Sequence, residues 1–339
     1  MKTCVVALCC AVLLAMSLPQ PSQAIELSYA NFPPAPTFPC VQMERWKTEV
    51  EKRTQGQVTV NTFPGGTLLG AKNMLRGVMQ GQADIGCLCM AYQPGVFPMT
   101  SVVGLPVGFT SAEAASQVLW DLYTTYQPEE FAQVKVLTMF TSAPSNLMSK
   151  ERVQSLQELK GLEIRASGAL SRSLDLLGAT PVSMPMPETP EALQKGVVKG
   201  LLSSLEVLKD LNFAAYCPYQ TILNLQVYPF AVVMNKDVWA DLPQEVQRVL
   251  EDLGQEQALW TGEYMDGHVQ DAMAYAQESY DTKVDTLSDQ EMQQMQARVS
   301  PIIDEWKADA QEAGLAAEAI YADLLSLKAK YEPECMPEQ

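Results

Sequence analysis

The sequence predicts an α/β protein of two lobes with a helical C-terminal tail. Strand and helix patterns alternate from Leu27 to Asn235, and mostly helical spacing takes over after Pro243. The 339 residues suggest two domains at roughly 150 residues each. With 47% hydrophobic residues and no repeat or low-complexity tract, the protein can bury a real core.

Each element has a local reason. Leu27, Tyr29 and Asn31 alternate on a first strand that ends at Phe32-Pro33-Pro34. Met43 to Thr54 is amphipathic and stops at Gly56, and Val58 and Val60 begin a second strand before the turn Pro64-Gly65-Gly66. Asn73 to Gln80 reads as helix and Ala83 to Cys89 as a buried strand. Thr110-Ser111-Ala112-Glu113 has the form of a capping box for a helix to about Tyr126. Val134 to Phe140 is a strand, Ser155-Leu156-Gln157-Glu158 opens a short helix, and Leu162 to Arg165 is the next strand. Thr189 to Val198 is helical, and Gly200 to Ser204 and Pro229 to Asn235 are strands. Beyond Pro243, Val246, Val249, Leu250, Leu253 and Trp260 keep helical spacing, with interruptions expected near Gly262 and Gly267. Ser288-Asp289-Gln290-Glu291 caps a further helix. Two α/β lobes place the default ligand site in the cleft between them.

At the N-terminus, Lys2, the apolar run Cys4 to Leu18 and the small residue Ala24 have the form of a cleavable export signal over residues 1–24. No later segment is apolar enough to span a bilayer, so direct membrane insertion is not expected. The formal net charge of −17 repels phosphate backbones and anionic headgroups, which argues against nucleic-acid partners. Cys40, Cys87, Cys89, Cys217 and Cys335 remain after the signal, an odd number that cannot all pair in one chain. Cys87-x-Cys89 reads as buried small hydrophobes, and no metal or cofactor is expected.

The search for catalytic apparatus is negative. The single histidine, His268, lies in the polar helical stretch Tyr264 to Gln270 and reads as a surface helix residue. There is no phosphate loop, nucleophile elbow or paired catalytic carboxylate. Arg165 stands out instead, at a strand end before Ala166-Ser167-Gly168, where α/β lobes meet ligands. Its guanidinium can hold a carboxylate or sulfonate through two parallel hydrogen bonds. The competing reading of Arg165 is a salt bridge, between lobes or at the surface.

The chain resembles the solute-binding proteins of tripartite ATP-independent periplasmic (TRAP) transporters, the DctP family. The likeness covers nearly all of the sequence after the signal. It rests on Thr62-Phe63-Pro64-Gly65-Gly66-Thr67-Leu68-Leu69-Gly70, on Gly77-Val78-Met79-Gln80-Gly81-Gln82-Ala83-Asp84-Ile85-Gly86, and on Phe97-Pro98 with Leu105-Pro106. Leu156-Gln157-Glu158-Leu159-Lys160-Gly161-Leu162-Glu163-Ile164-Arg165 and Glu191-Ala192-Leu193-Gln194-Lys195-Gly196-Val197-Val198-Lys199-Gly200 complete it. The resemblance implies a bilobal periplasmic solute-binding fold, with a long helix crossing both lobes. It further implies that the protein hands its ligand to small and large permease subunits driven by an ion gradient. The expected division is lobe I at 25–142 and 231–273, lobe II at 143–230 and 274–332, and a tail at 333–339.

By the same resemblance, Arg165 falls on the family's ligand arginine. A second arginine of some members corresponds to Ser145, an asparagine to Ser203, an acidic position to Cys89 and a large apolar contact to Met186. One strong cation among small, soft and hydroxyl groups favours a monoanion with modest hydrogen bonding. Tyr92, Phe32 and Met186 are candidate walls for a flat ring, and the Asn31–Phe32 loop shapes the rest. Glu206 either accepts a bond from the ligand or caps the helix beginning near Leu205. The expected function is a periplasmic receptor for a small organic monoanion: a carboxylate such as an aromatic, indole or oxo acid or an amino-acid derivative, with a short sulfonate such as isethionate as alternative. An exported enzyme acting on organic acids is the reading from another class.

Overall fold

Two mixed sheets, each wrapped by helices, organise residues 24–332, the part of the protein described in this computed structural model. The expected export signal, the tail 333–339 and Cys335 lie outside the described residues, save for Ala24. In sequence order the first segment holds β1 (Ile25–Asn31), α1 (Phe38–Arg53), β2 (Val58–Phe63), α2 (Met74–Met79), β3 (Ile85–Cys89), α3 (Ala112–Tyr126) and β4 (Val134–Thr141). The second holds β5 (Asn146–Ser149), β6 (Glu163–Ala166), α4 (Ala169–Leu177), β7 (Thr180–Ser183), α5 (Thr189–Gln194), β8 (Gly200–Ser203), α6 (Val207–Asp210) and β9 (Tyr219–Ile222). The backbone then returns through β10 (Pro229–Asn235), α7 (Lys236–Asp241), α8 (Gln244–Tyr280), β11 (Lys283–Thr286), α9 (Asp289–Val299), α10 (Pro301–Glu312) and α11 (Ala317–Tyr331).

The first lobe's sheet runs β2-β1-β3-β10-β4, with β1 parallel to β2 and β3 and β10 antiparallel to β3 and β4. Every residue of β3 and β10 is buried, which explains why these two apolar runs occupy interior places in the sheet. The second sheet runs β11-β9-β5-β8-β6-β7, so β10 belongs to the first lobe although it follows the second lobe's strands. Two backbone crossings join the lobes side by side: Ser142 N–H donates to Tyr228 O, Ser145 N–H to Gln226 O, and Leu225 N–H to Ser145 O.

Several elements differ from the sequence reading. α1 starts at Phe38, not Met43, because Pro39 fits the first helical turn. α3 is capped by Ser111, whose hydroxyl accepts from Ala114 N–H, while Asp266 of α8 takes the N–H groups of Ala112 and Glu113. Thr110, the expected cap, bonds Glu332 instead. Residues 155–161 form turns instead of a helix, and the Glu158 carboxylate accepts from the N–H groups of Gln154 and Ser155. α9 carries the expected cap, Ser288 accepting from Glu291 N–H.

The long helix α8 is unbroken over 37 residues, about 55 Å at 1.5 Å per residue. Gly262 does not interrupt it. A β-carbon there would stand 2.4 Å from Glu113 Cα, so glycine lets α3 and α8 touch backbone to backbone. α8 packs on α1, α3 and β4 of one lobe and on α6 of the other. The closing helices also serve both lobes: α9 and α10 lie on α4, whereas α11 packs on α3, with Tyr126 bonded to Asp323 and Tyr331 to Asp121. The packing of α11 thus differs from the expected grouping of residues 274–332 with lobe II, because the apolar face of α3 needs a cover.

Candidate functional site

The strand ends of both lobes converge on a narrow cleft cavity with about 50 Å³ of free volume. Lobe I contributes Phe32, Phe38 and Phe230; lobe II contributes Arg165, Met186, Ser203 and Glu206; Cys89, Tyr92, Ser142 and Tyr228 close it. The rings form a continuous wall: Phe38 meets Phe230 edge-on at 5.3 Å, and Phe32 meets Tyr92 edge-on at 5.5 Å.

Arg165 sits in β6 between β7 and β8 and is fully buried. Its Nε and Nη2 donate to the Met184 carbonyl at 3.0 and 2.8 Å. Nη2 also reaches the Tyr92 hydroxyl at 3.1 Å and Ser167 Oγ at 3.2 Å. Nη1 is buried without a partner among the described residues. No carboxylate of the described residues pairs with this guanidinium, so the salt-bridge reading of Arg165 fails. Burial works against its charge, but Tyr92, Tyr228 and Cys89 outweigh burial and hold its pKa above the ordinary arginine value. The Cys89 thiol is pushed up to about 12, mainly by burial, and is a neutral apolar wall.

The opposite character appears on α6. Glu206 is 2% exposed and occupies the N-cap position of α6, yet its side chain makes no cap bond. The capping alternative is therefore not what the structure shows. Its carboxyl is pushed up to about 7, first by burial and further by the charge of Asp210, against the Ser204 hydroxyl and His268. Asp210, one helical turn on, lines the same cavity and holds His268 Nε2 at 2.7 Å. That bond raises the pKa of His268 despite its partial burial. The histidine is thus a half-buried partner of a cavity acid and not the surface residue expected from its polar neighbours.

Of the residues singled out from sequence, Phe32, Cys89, Tyr92, Arg165, Met186, Ser203 and Glu206 line one cavity. Asn31 and Ser145 do not. The Asn31 amide is turned away to the Pro39 carbonyl at 2.6 Å. Ser145 is held in the interlobe crossing by its own backbone bonds, and Ser142 lines the cavity instead. Sequence reasoning missed Ser142, Tyr228, Phe38, Phe230 and Asp210. Only Asp210 left a readable signal, its spacing of four residues from Glu206.

The arrangement is two α/β lobes around a cavity with one buried cation on its wall. The family described as "Bacterial extracellular solute-binding protein, family 7", DctP, matches residues 33–309. The chain belongs to this family, the solute-binding proteins of TRAP transporters, whose members are receptors and not enzymes. It is similar to a TRAP periplasmic solute-binding protein from Desulfovibrio salexigens DSM2638, with 61% identity, a TM-score of 0.85 and coverage of 93% of this chain and 99% of that one. That structure is an open complex with the C-terminus of a symmetry mate in its ligand-binding site. A marine metagenome TRAP protein specific for aromatic acid ligands, in complex with 3-hydroxybenzoate, is 28% identical at a TM-score of 0.87, covering 92% of this chain and all of that one (100%). Among curated proteins, YiiZ of Salmonella typhimurium is 26% identical over 60% of this chain, and the match spans 64% of YiiZ.

Proposed function

We propose that this protein is the periplasmic receptor of a TRAP transporter for a small organic acid with an aromatic body. In this reading Arg165 clamps the acid group, the phenylalanine wall receives the ring, and the lobes deliver the closed complex to the small and large permease subunits. One observation carries it: a fully buried guanidinium with an unpartnered Nη1, on a cavity wall, and no carboxylate among the described residues to neutralise it. A buried charge left so is costly unless a ligand anion completes it. Tyr92 supports the same geometry, since its oxygen already accepts from Arg165 and from Met186 N–H, which leaves its own proton for the incoming acid. Two similarities agree. The 61% identical protein accepts a polypeptide carboxyl terminus in its site, and the 28% identical one takes aromatic acids.

The test is titration calorimetry with a panel of benzoates, phenylacetates, indole acids and short sulfonates against the wild type and Arg165→Ala. The expected result is binding of an aromatic carboxylate that weakens roughly 100-fold or more in the variant. Tight binding that survives Arg165→Ala overturns the assignment. A sulfonate preferred over every carboxylate would replace its ligand class.

A further inference from the structure

The α6 wall carries a second set of unsatisfied atoms that the acid clamp does not use. Glu206 Oε2 and Asp210 Oδ2 are both buried, and neither has a partner among the described residues. The two side chains stand four residues apart and line the same cavity as Arg165, yet neither forms a salt bridge with it. The other oxygen of Asp210 is fixed by His268, so the carboxylate cannot turn to relieve itself. His268 is in turn stacked on Tyr264 of α8 at 5.2 Å, which holds the pair in place.

One cavity therefore contains an unpaired donor with positive charge and two unpaired acceptors on carboxyl groups. Buried polar atoms in folded proteins are almost always partnered, so three orphans lining one cavity mark where a ligand's polar groups would fit. A simple aromatic monoanion satisfies Arg165 and leaves both acids unmet. A hydroxyl offers one proton. A protonated amine offers three N–H donors and a positive charge, and so meets both oxygens at once.

We propose that the Glu206–Asp210 wall is an ammonium subsite, so that the ligand is an aromatic acid carrying a protonated amine, an aromatic amino acid in the broad sense. This rests on the reading of Arg165 as the acid clamp and names the ligand class more closely. The proton count follows from the groups facing the subsite. Asp210 is bonded to His268, Lys209 opposes protonation of that histidine, and Tyr264 packs beside them. Glu206, with a pKa near 7, is partly protonated at neutral pH. A bound ammonium favours its ionised form, so the protonated fraction of Glu206 gives its proton to the buffer as Glu206 carboxylate and ligand ammonium pair.

The experiment is calorimetry at pH 7 in phosphate and in Tris, whose ionisation enthalpies differ. Matched probes are phenylalanine and tryptophan (both enantiomers) and 4-(aminomethyl)benzoate, against 3-phenylpropionate, indole-3-propionate and 4-methylbenzoate. We expect at least one amine to bind about tenfold or more tightly than its deaminated counterpart, with a buffer-dependent enthalpy that reports proton release. Glu206→Gln should erase both the preference and the release, while the deaminated acids keep their affinity and a thermal melt confirms folding. Deaminated acids that bind as well as every amine, or amine binding without proton release in the wild type, overturn the subsite and leave the acid clamp standing. Failure of both series to bind overturns the clamp reading and the subsite together.

Discussion

On the first lobe's side of the cleft, Phe32, Phe38 and Phe230 present rings and no charge. On the second lobe's side, Arg165, Glu206 and Asp210 present three ionisable groups, each with an orphan atom. The scaffolds beneath differ to match. Phe230 lies on β10, buried at every residue between β3 and β4, where a ring costs nothing to hold. Arg165 lies on β6 and needs the Met184 carbonyl and Ser167 to fix its guanidinium. In the proposed reading the first wall measures shape and the second reads charge. Tyr92 joins them, since it follows β3 of the first lobe and bonds Arg165 and Met186 of the second.

The largest effect should come from the charged wall. Arg165→Ala removes the guanidinium donors aimed at the acid, and its expected loss is on the order of 3–5 kcal/mol of binding, the cost of leaving the ligand's charge unpaired. Phe230→Ala, by contrast, should lower global stability by about 3–5 kcal/mol through the cavity it leaves, read by urea unfolding without ligand. Equal loss of ligand affinity and stability in both variants would erase the division of labour between the walls.

The charged wall also predicts a pH signature that the aromatic wall lacks. Glu206 holds its proton up to about pH 7 in the folded protein, against an ordinary value of 4.5. The unfolded protein releases that proton from about pH 4.5 upward. Stability is thus full below that point, falls between 4.5 and 7, and stays reduced above, by roughly 3 kcal/mol. His268 acts in the same sense, since its raised pKa adds stability below about 6.5 that is lost as pH climbs through its folded value. Glu206→Gln should therefore unfold at higher denaturant than the wild type at pH 8 and at no higher denaturant near pH 4.5. A constant difference across that range would mean that the carboxyl is already ionised when folded.

Closure itself can be weakened at Gly168, whose φ of +57° and ψ of −139° suit glycine and whose added β-carbon would meet Ala91 Cβ across the lobes at 3.0 Å. Gly168→Ala should weaken ligand affinity by about 1–3 kcal/mol, with the loss seen as faster ligand release in stopped-flow measurements. Unchanged release would show that the lobes need not meet at this point.

How much of this was legible in the sequence follows from which interactions are local. Arg165 was readable because a strand ending in Ala166-Ser167-Gly168 places a side chain at the cleft, whatever packs around it. Strands with long apolar runs, such as Pro229 to Asn235, were readable, whereas the short β5, β7, β9 and β11 were not. The capping register at Thr110 and Ser111 was not, since both residues can cap and the choice is made by Asp266, 155 residues from Ser111. Asp210 and His268 were missed as a unit for the same reason: they lie 58 residues apart and meet only because α6 packs on α8. Ser142 displaced Ser145 because the hinge crossings, invisible in the periodicity, decide which serine faces the cavity.

The smallest effect tests the link between the walls. Tyr92→Phe keeps the ring that meets Phe32 edge-on at 5.5 Å and removes only the oxygen shared by Arg165 Nη2 and Met186 N–H. Both donors lose a partner, but Nη2 retains Met184 and Ser167, so the expected cost is about 1 kcal/mol. If Tyr92 also gives its proton to the bound acid, affinity should fall by more than stability does, and carboxylates should suffer more than their neutral amides. Equal loss for acids and amides would reduce Tyr92 to a bridge between lobes, and the reading of charge would then belong to the second lobe alone.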